Sequence, residues 1–481
     1  MKKAEVVFIP SPGVGHLVST LEFAKLLISR DNRLRITILL MNFPHTAETE
    51  TDVYTNSLPI SDSLHVVNLP ECSLPPTSDI TSSMTTLLEA QKPNVKQAVT
   101  NLTTERGENG VLAAFVVDMF CTTMIDVAKE FSVPTLVFYT SSVAFLGLVL
   151  HLHTLRERDN VDSDQLLQLA ELDVPSFANS VPSKSLPTIT LRKEFDSFFM
   201  SYANGLKNAD GIIVNSFEEL ESHAVQSFLS HPGFSGLSIY PVGPILNPEP
   251  KTEGTIDSVD VIKWLDDQPL FSVVFLCFGS TGCFDEDQVK EIALAIENSG
   301  ARFMWSLRKP PLKGTMALPS DYPLSDLDSV LPEGFLDRTR EIGMVIGWAP
   351  QAQILAHRAI GGFVSHCGWN STLESIYFGV PIATWPLFAE QQSNAFELVF
   401  ELKMGVEIAS DYRVEVNSGP NYFVTADKIE RGIRSVLDKD GEFRKKVKVI
   451  SEKSRKTLLE GGSSYIYLGR LIDYIVNQVS N

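Results

Sequence analysis

Two polar side chains stand where apolar strands end, and together they could form a base–acid pair. Glu5 to Ile9 reads as a buried strand that empties into the turn Pro10-Ser11-Pro12-Gly13-Val14-Gly15-His16. A histidine titrates near neutral pH and is the commonest general base. Asp118 closes the strand VLAAFVVD, so it too sits at a carboxyl end of the same sheet. A carboxylate there can orient an imidazole and stabilise its protonated form. Each has a plainer alternative. A histidine on a strand-exit loop is more often structural, and Asp118 could cap the helix that follows it. Gly13-x-Gly15 invites a dinucleotide reading, but Val18 occupies the third glycine position, so an NAD-dependent oxidoreductase is disfavoured.

A second polar cluster lies far along the chain. The apolar run GGFVSH enters the turn His366-Cys367-Gly368-Trp369-Asn370, and a helix is expected from about Ser371 to Phe378, stopped by Gly379. A second strand, VPIATW, leads to the turn Ala389-Glu390-Gln391. Open α/β sheets bind ligands at the carboxyl ends of their strands, and a helix N-terminus there suits an anion. Ser371-x-x-Glu374 also fits a capping box. Gly279-Ser280-Thr281-Gly282, after the strand VVFLCF, is a weaker phosphate-type turn, and Thr140-Ser141-Ser142 ends the strand at Thr135.

The elements that must position these groups alternate strand and helix. Strands are expected at Glu5–Ile9, Arg35–Leu40, His65–Leu69, Leu112–Val117, Thr135–Tyr139 and Gly211–Asn215, with helices between them. Residues 156–185 are polar and proline-marked and read as a surface excursion. Residues 247–258 are the best linker candidate. A second series starts with strands Val273–Phe278 and Arg302–Leu307, residues 308–330 read as a mobile proline-rich loop, and the last helix runs from Ser464 to Val479. The window Val133 to Leu152 is the most hydrophobic, but Pro134 and the polar run Tyr139 to Ser142 favour strand, turn and buried helix over a membrane span.

The stretch from Trp348 to Gln391, with HCGWNS at its middle and Glu-Gln at its end, resembles the donor-binding signature of plant family-1 UDP-sugar glycosyltransferases. The resemblance implies an α/β chain of two Rossmann-like domains facing across a cleft, the GT-B arrangement. An acceptor domain would span residues 1–246, a donor domain 247–459, and residues 460–481 would form a helix crossing back to the first domain. It implies that Trp348 stacks on uracil, with Ala349 and Gln351 beside it, and that Glu374 binds the ribose. His366, Asn370, Ser371 and Ser280 would hold the diphosphate, and Trp369, Glu390, Gln391 and Thr140 would meet the sugar. His16 would be the base and Asp118 its partner. Phe120, Phe145, Phe195, Phe198 and Phe199 are candidate walls for the acceptor, or else core. The implied activity is inverting transfer of glucose from UDP-glucose to a hydroxyl of an apolar phenolic or terpenoid molecule. Neither a cofactor nor a metal is implied. The same fold binding a UDP-sugar without turnover is the runner-up.

The composition agrees with that class. The 481 residues carry a net charge of −19, which excludes nucleic acid and anionic membranes as obvious partners. The five cysteines are an odd number and contain no C-x-x-C, so a reduced, cytoplasmic setting is expected. The apolar run after Met1-Lys2-Lys3 is too short for a signal peptide, so neither a signal peptide nor an apolar C-terminal anchor is expected. A monomer is expected. Asp162-Ser163-Asp164 lies in the polar excursion and not at a strand end, and His151-x-His153 would point to different faces of a helix, so neither reads as a metal site.

Overall fold

The computed structural model describes residues 2–41, 62–73, 80–106, 110–246, 258–312, 318–414 and 423–479. Two parallel sheets organise it. The first runs in the order Leu64–Asn68, Leu34–Leu40, Lys3–Ile9, Gly110–Asp118, Thr135–Tyr139, Gly211–Val214 and Ile239–Pro241. The second runs Gly343–Ile346, Arg302–Ser306, Val273–Cys277, Ile360–Ser365, Ile382–Thr384 and Gly405–Glu407. Every pairing within both is parallel. Such sheets need both faces covered, and the strands read accordingly: in Val273–Cys277 and Ile360–Ser365 every residue is buried. These are two Rossmann-like units. In each, the strand order reverses beside the first strand, which places a ligand crevice there. Three short strands had no distinct pattern in the sequence. Ile239–Pro241 and Gly405–Glu407 are three-residue edge strands, and Gly343–Ile346 closes the other edge of the second sheet.

The helix Ser463–Asn477 lies on the first sheet although it follows the second. Its Leu468, Leu471, Ile472 and Ile475 share one core with Val6, Phe8, Ile36 and Phe138. Of the linker candidate at 247–258, residues 247–257 lie outside the described residues, and Ser258 opens the helix Ser258–Asp266. Among the described residues, no helix is long and apolar enough to cross a membrane. The hydrophobic window from Val133 forms the strand Thr135–Tyr139 and the buried helix Val143–Asp159.

The expected surface excursion at 156–185 is largely exposed as far as Glu171, but its last part, from Phe177, belongs to the seam between the two units. Asn179 and Ala178 donate backbone N–H groups to Glu401, both at 2.9 Å, and Asn179 Nδ2 adds a third bond at 2.7 Å. Phe177 packs on Phe396 with centroids 5.9 Å apart. Ser393 donates to the carbonyl of Ser185, and Arg413 donates to the carbonyls of Lys184 and Leu186. In that last part polar groups bond to a partner surface, a use that composition alone cannot separate from solvation. Asp162 there forms a capping box with Gln165, which accounts for the D-x-D triplet.

Removing the Glu401 carboxylate breaks three hydrogen bonds that tie the two units at this seam. Glu401→Ala is therefore expected to lose about 1–2 kcal/mol, read as a lower urea midpoint, with earlier proteolysis near residue 179.

Candidate active site

The first crevice holds the base–acid pair. Glycine is required at position 13, where φ is +127°. The turn there closes early, so the helix begins at Val14 and His16 sits in its first turn rather than on a loop. His16 Nδ1 donates to Oδ2 of Asp118 at 2.7 Å. The other oxygen of Asp118 accepts from Ser11 Oγ at 2.5 Å and from the Phe120 N–H at 3.0 Å. Asp118 is thus fully engaged and does not cap the helix after it. Because a carboxylate only accepts, Nδ1 carries the proton and Nε2 keeps its lone pair on the far edge of the ring. The Asp118 side chain is wholly buried and the His16 side chain is 29% exposed. Burial pushes the imidazole down, but the charge and hydrogen bond of Asp118 outweigh it, with a smaller push from Glu390. The result lies above the usual 6.5. Phe120 stands edge-on to the imidazole at 5.6 Å. Ser11 was not singled out from the sequence, although it lies in the same proline–glycine turn as His16.

The second crevice holds the other cluster. The helix there runs Trp369–Phe378, two residues earlier than expected, with Gly368 as its cap residue. Ser371 therefore lies inside the first turn and forms no capping box with Glu374. Instead Gln351 Nε2 donates to Glu374 Oε2 at 2.7 Å and to Ser371 Oγ at 2.9 Å. Burial raises the Glu374 carboxyl to about 7, against a smaller lowering by that Gln351 bond. Burial likewise drives His366 down to about 4, so it is neutral at pH 7 and can give a hydrogen bond but no positive charge. Nδ1 of His366 and Oδ1 of Asn370 are buried without a protein partner. Gly279, at φ +76°, is fixed twice over, because a Cβ there would come within 2.7 Å of His366 Nε2. The neighbouring Ser280 is exposed.

Two non-glycine residues in these turns have positive φ, Cys367 at 64° and Ala389 at 56°. Strain of this kind persists only where neighbours over-determine it. At Cys367 they do: Asn394 Nδ2 holds its carbonyl at 2.9 Å and Ser365 Oγ accepts its N–H at 3.1 Å.

Several side chains are used differently from expectation. Trp369 is only 2% exposed, and its Nε1 donates to the Asn215 carbonyl across the seam at 2.7 Å. Its indole is a bolt between units, not a face open to a sugar. Gln391 spends its amide oxygen on the N–H groups of Leu387 and Phe388, leaving its NH₂ as the group able to donate elsewhere. Asn370 gives its NH₂ to Ser19 of the first unit at 3.1 Å. Thr140 is not a helix cap, a role taken by Ser142, which accepts from Phe145 N at 2.9 Å. Phe145 and Phe199 are core, at 6% and 1% exposed. Phe120, Phe195 and Phe198 remain half-buried. Trp348 is also half-buried, and its N–H is held by Asp321 at 2.9 Å. Ala349 beside it is buried, and its carbonyl accepts from Gln351 N at 2.8 Å. Asp321 belongs to the loop expected to be mobile. There it pairs in a short hairpin, Arg308–Lys309 with Ser320–Asp321, while residues 313–317 lie outside the described residues.

The two crevices meet. Ser19, which holds Asn370, is one helical turn beyond His16, and the charge of Glu390 reaches the imidazole from the second unit. Among the described residues no group of three His, Cys, Asp or Glu is placed to hold a metal. The site offers one tuned base, a buried cluster of hydrogen-bonding groups at a helix N-terminus, and an aromatic platform at Trp348.

Comparison with known proteins follows the same lines. The family model described as "UDP-glucoronosyl and UDP-glucosyl transferase" matches residues 268–410. The chain is 53% identical to UDP-glucose flavonoid 3-O-glucosyltransferase 6 of Fragaria ananassa, over 99% of both chains. It is 50% identical to anthocyanidin 3-O-glucosyltransferase 1 of Manihot esculenta, over 95% of this chain and 99% of that one. A Medicago truncatula UGT crystallised with UDP-glucose superposes with a TM-score of 0.85, at 40% identity and 98% coverage of each chain. With near-complete coverage at these identities, and with both sheets in the GT-B arrangement, the chain belongs to the plant UDP-glycosyltransferase family.

Proposed function

We propose that this enzyme transfers glucose from UDP-glucose to a hydroxyl of an apolar small molecule of the flavonoid or phenolic kind, with inversion. The observation that carries the reading is the 2.7 Å pair of His16 and Asp118, set one helical turn from the residue that holds Asn370 of the donor cluster. The relatives named for flavonoid and anthocyanidin glucosylation, and the one crystallised with UDP-glucose, support the substrate classes.

The acceptor oxygen attacks the anomeric carbon as His16 Nε2 takes its proton. The bond from that carbon to the β-phosphate oxygen breaks on the opposite face, and UDP leaves. Asp118 stabilises the imidazolium that forms. The diphosphate is received by backbone N–H groups at the start of Trp369–Phe378 and by Ser371, with His366 acting as a neutral donor. Trp348 stacks on uracil, Glu374 accepts the ribose hydroxyls, and Thr140, Glu390 and the Gln391 NH₂ face the sugar. Phe120 and Phe198 form acceptor walls. No metal is required in this scheme, so turnover is expected to persist through exhaustive EDTA treatment. A complete loss restored by Mg²⁺ would reject it.

The base pair gives a kinetic test. His16→Ala should nearly abolish transfer while UDP binding persists. Asp118→Asn should also cut the rate, and the double variant should be no worse than His16→Ala alone, because members of one catalytic unit do not add. Only neutral imidazole accepts a proton, so activity should rise with pH through a value above 6.5. Loss of the Asp118 charge lowers that value, so the residual activity of Asp118→Asn should rise at lower pH. Multiplicative losses or an unmoved acid limb would separate the two residues.

Glu374 gives a second test. Its carboxyl ionises near pH 7, and an ionised carboxylate accepts hydroxyl protons more strongly than a neutral one. UDP affinity should therefore climb as pH rises through that value, and Glu374→Gln should be flat. Folding stability should move the other way in the wild type: a raised carboxyl favours the fold below its unfolded value and loses that advantage as pH rises toward about 7. Calorimetric titrations showing the same pH dependence in both proteins would remove Glu374 from the ribose.

A further inference from the structure

The peptide unit that joins Gly347 to Trp348 is held at both ends by side chains from two other elements. Ser306, the last residue of the strand Arg302–Ser306, donates its hydroxyl to the Gly347 carbonyl at 2.7 Å. The Trp348 N–H donates to Asp321 Oδ1 at 2.9 Å. A peptide is planar, so bonds to its oxygen and its N–H together fix its plane. On the far side of the indole, the Ala349 carbonyl accepts from the Gln351 N–H at 2.8 Å. Asp321 is itself fixed. Arg308 Nε stands 3.1 Å from the same Oδ1, and the two side chains are 12% and 23% exposed. Arg308 Nη2 also donates to the Pro319 carbonyl at 2.5 Å. Gly347 is required by space. It does not take a left-handed φ, yet a Cβ there would lie 2.3 Å from the Asp321 carboxyl carbon.

We propose that Asp321 is a positioning residue for the nucleotide: held by Arg308, it acts through the Trp348 backbone to present the indole to uracil. The inference rests on the reading that Trp348 stacks on uracil. Trp348 is half-buried, so part of its surface is open to a ligand. An indole on a free loop would have to be ordered as the nucleotide arrives, and each side chain immobilised on binding costs affinity. The clasp formed by Ser306 and Asp321 orders the backbone beforehand. The uracil end of the donor is remote from the bond that breaks. What stacking contributes is therefore the same before and during the reaction, and its loss appears in KM and not in kcat. The loss of His16 differs, because it falls on the rate.

Asp321→Ala should weaken UDP binding in calorimetry, and raise KM for UDP-glucose, roughly three- to tenfold, the span of one hydrogen bond. Its kcat should stay within about twofold of the wild type. Inhibition by inorganic pyrophosphate, which has no base to stack, should be unchanged, whereas general damage to the donor crevice would weaken it too. Asp321→Asn keeps an oxygen facing the Trp348 N–H and should restore UDP affinity to within about twofold of the wild type. Gly347→Ala puts a methyl group where the carboxylate sits, so it should reproduce Asp321→Ala, and it carries the same readouts if Asp321→Ala does not fold. The double variant should be no worse than either single one, because both remove one contact. Unchanged UDP affinity in Asp321→Ala, an equal loss of pyrophosphate inhibition, or multiplicative losses in the double variant would overturn the proposal. Trp348→Ala separates it from the reading beneath it. If that variant binds UDP more weakly while Asp321→Ala does not, the stacking stands and the positioning role fails. If Trp348→Ala binds UDP like the wild type, the stacking fails and Asp321 has no part in holding the nucleotide.

Discussion

The constraint on which the rest depends is a buried carboxylate without a cation. Asp118 has no lysine or arginine beside it among the described ion pairs. Its charge is met by a serine hydroxyl, a backbone N–H and the imidazole of His16. Removing any of these would leave a buried charge under-satisfied, which costs more than any one hydrogen bond provides. The pairing of Lys3–Ile9 with Gly110–Asp118 is what makes this possible, because Ile9 stands opposite Val117 and so brings Ser11 and His16 to the end of the Asp118 strand. Register in the first sheet therefore sets the tautomer and basicity of the His16 imidazole. A one-residue slip would turn Asp118 to the other face of the sheet.

The second unit must meet that base at a fixed distance, and the seam is built for it. Its apolar part mixes the chains of both units. Phe396 lies in the first unit's core, and Phe217 and Leu220 lie in the second's. Directional bonds then fix the alignment. The Trp369 indole reaches the Asn215 carbonyl, and the Asn215 side chain in turn clasps both the N–H and the C=O of Ile245. The same strand end that supplies Asn215 leads into Ser216 and Glu221. The two crevices thus rest on elements that are braced to one another. Hydrophobic contact sets how close the units come, while the hydrogen bonds set which residues face each other.

Much of this was legible in the residues. Both sheets, the two strand-end clusters and the pairing of His16 with Asp118 follow from apolar runs that stop at polar turns. What was not legible divides by physical cause. Edge strands of three residues carry too little pattern to be read. The polar segment at 156–185 looks solvated, because composition cannot distinguish bonds to water from bonds to a second surface. Trp369 and Gln391 sit in a recognisable signature, but their atoms are partly used to hold the turn and the seam, and only coordinates show which atom is spent. Ser371-x-x-Glu374 was ambiguous because a two-residue error in a helix start decides whether the motif caps. Asp321 escaped notice because its value comes from reaching the N–H of Trp348 past Gly347, where a Cβ would come within 2.3 Å of its carboxyl carbon.

In the proposed reading, the second crevice would bind a dianion with little fixed positive charge. His366 is neutral, and Arg308 is paired with Asp321 at 3.1 Å. Backbone N–H groups and hydroxyls remain, and their dipoles are held in place before the ligand arrives. Buried polar atoms such as Asn370 Oδ1 and His366 Nδ1 have no protein partner, which is costly in the free protein. Two residues at positive φ keep the turns that carry them in a conformation an unconstrained chain would leave. That cost is borne by folding, through the packed strands on either side of the turns. A ligand that satisfies such atoms gains twice, because it forms its own bonds and relieves groups that have no protein partner. Fixed dipoles also need no reorganisation as charge moves onto the leaving diphosphate, which is where preorganisation contributes most to rate. A mobile lysine would attract the same anion but would hold the bound ground state as tightly as the departing product, and so would favour affinity over turnover.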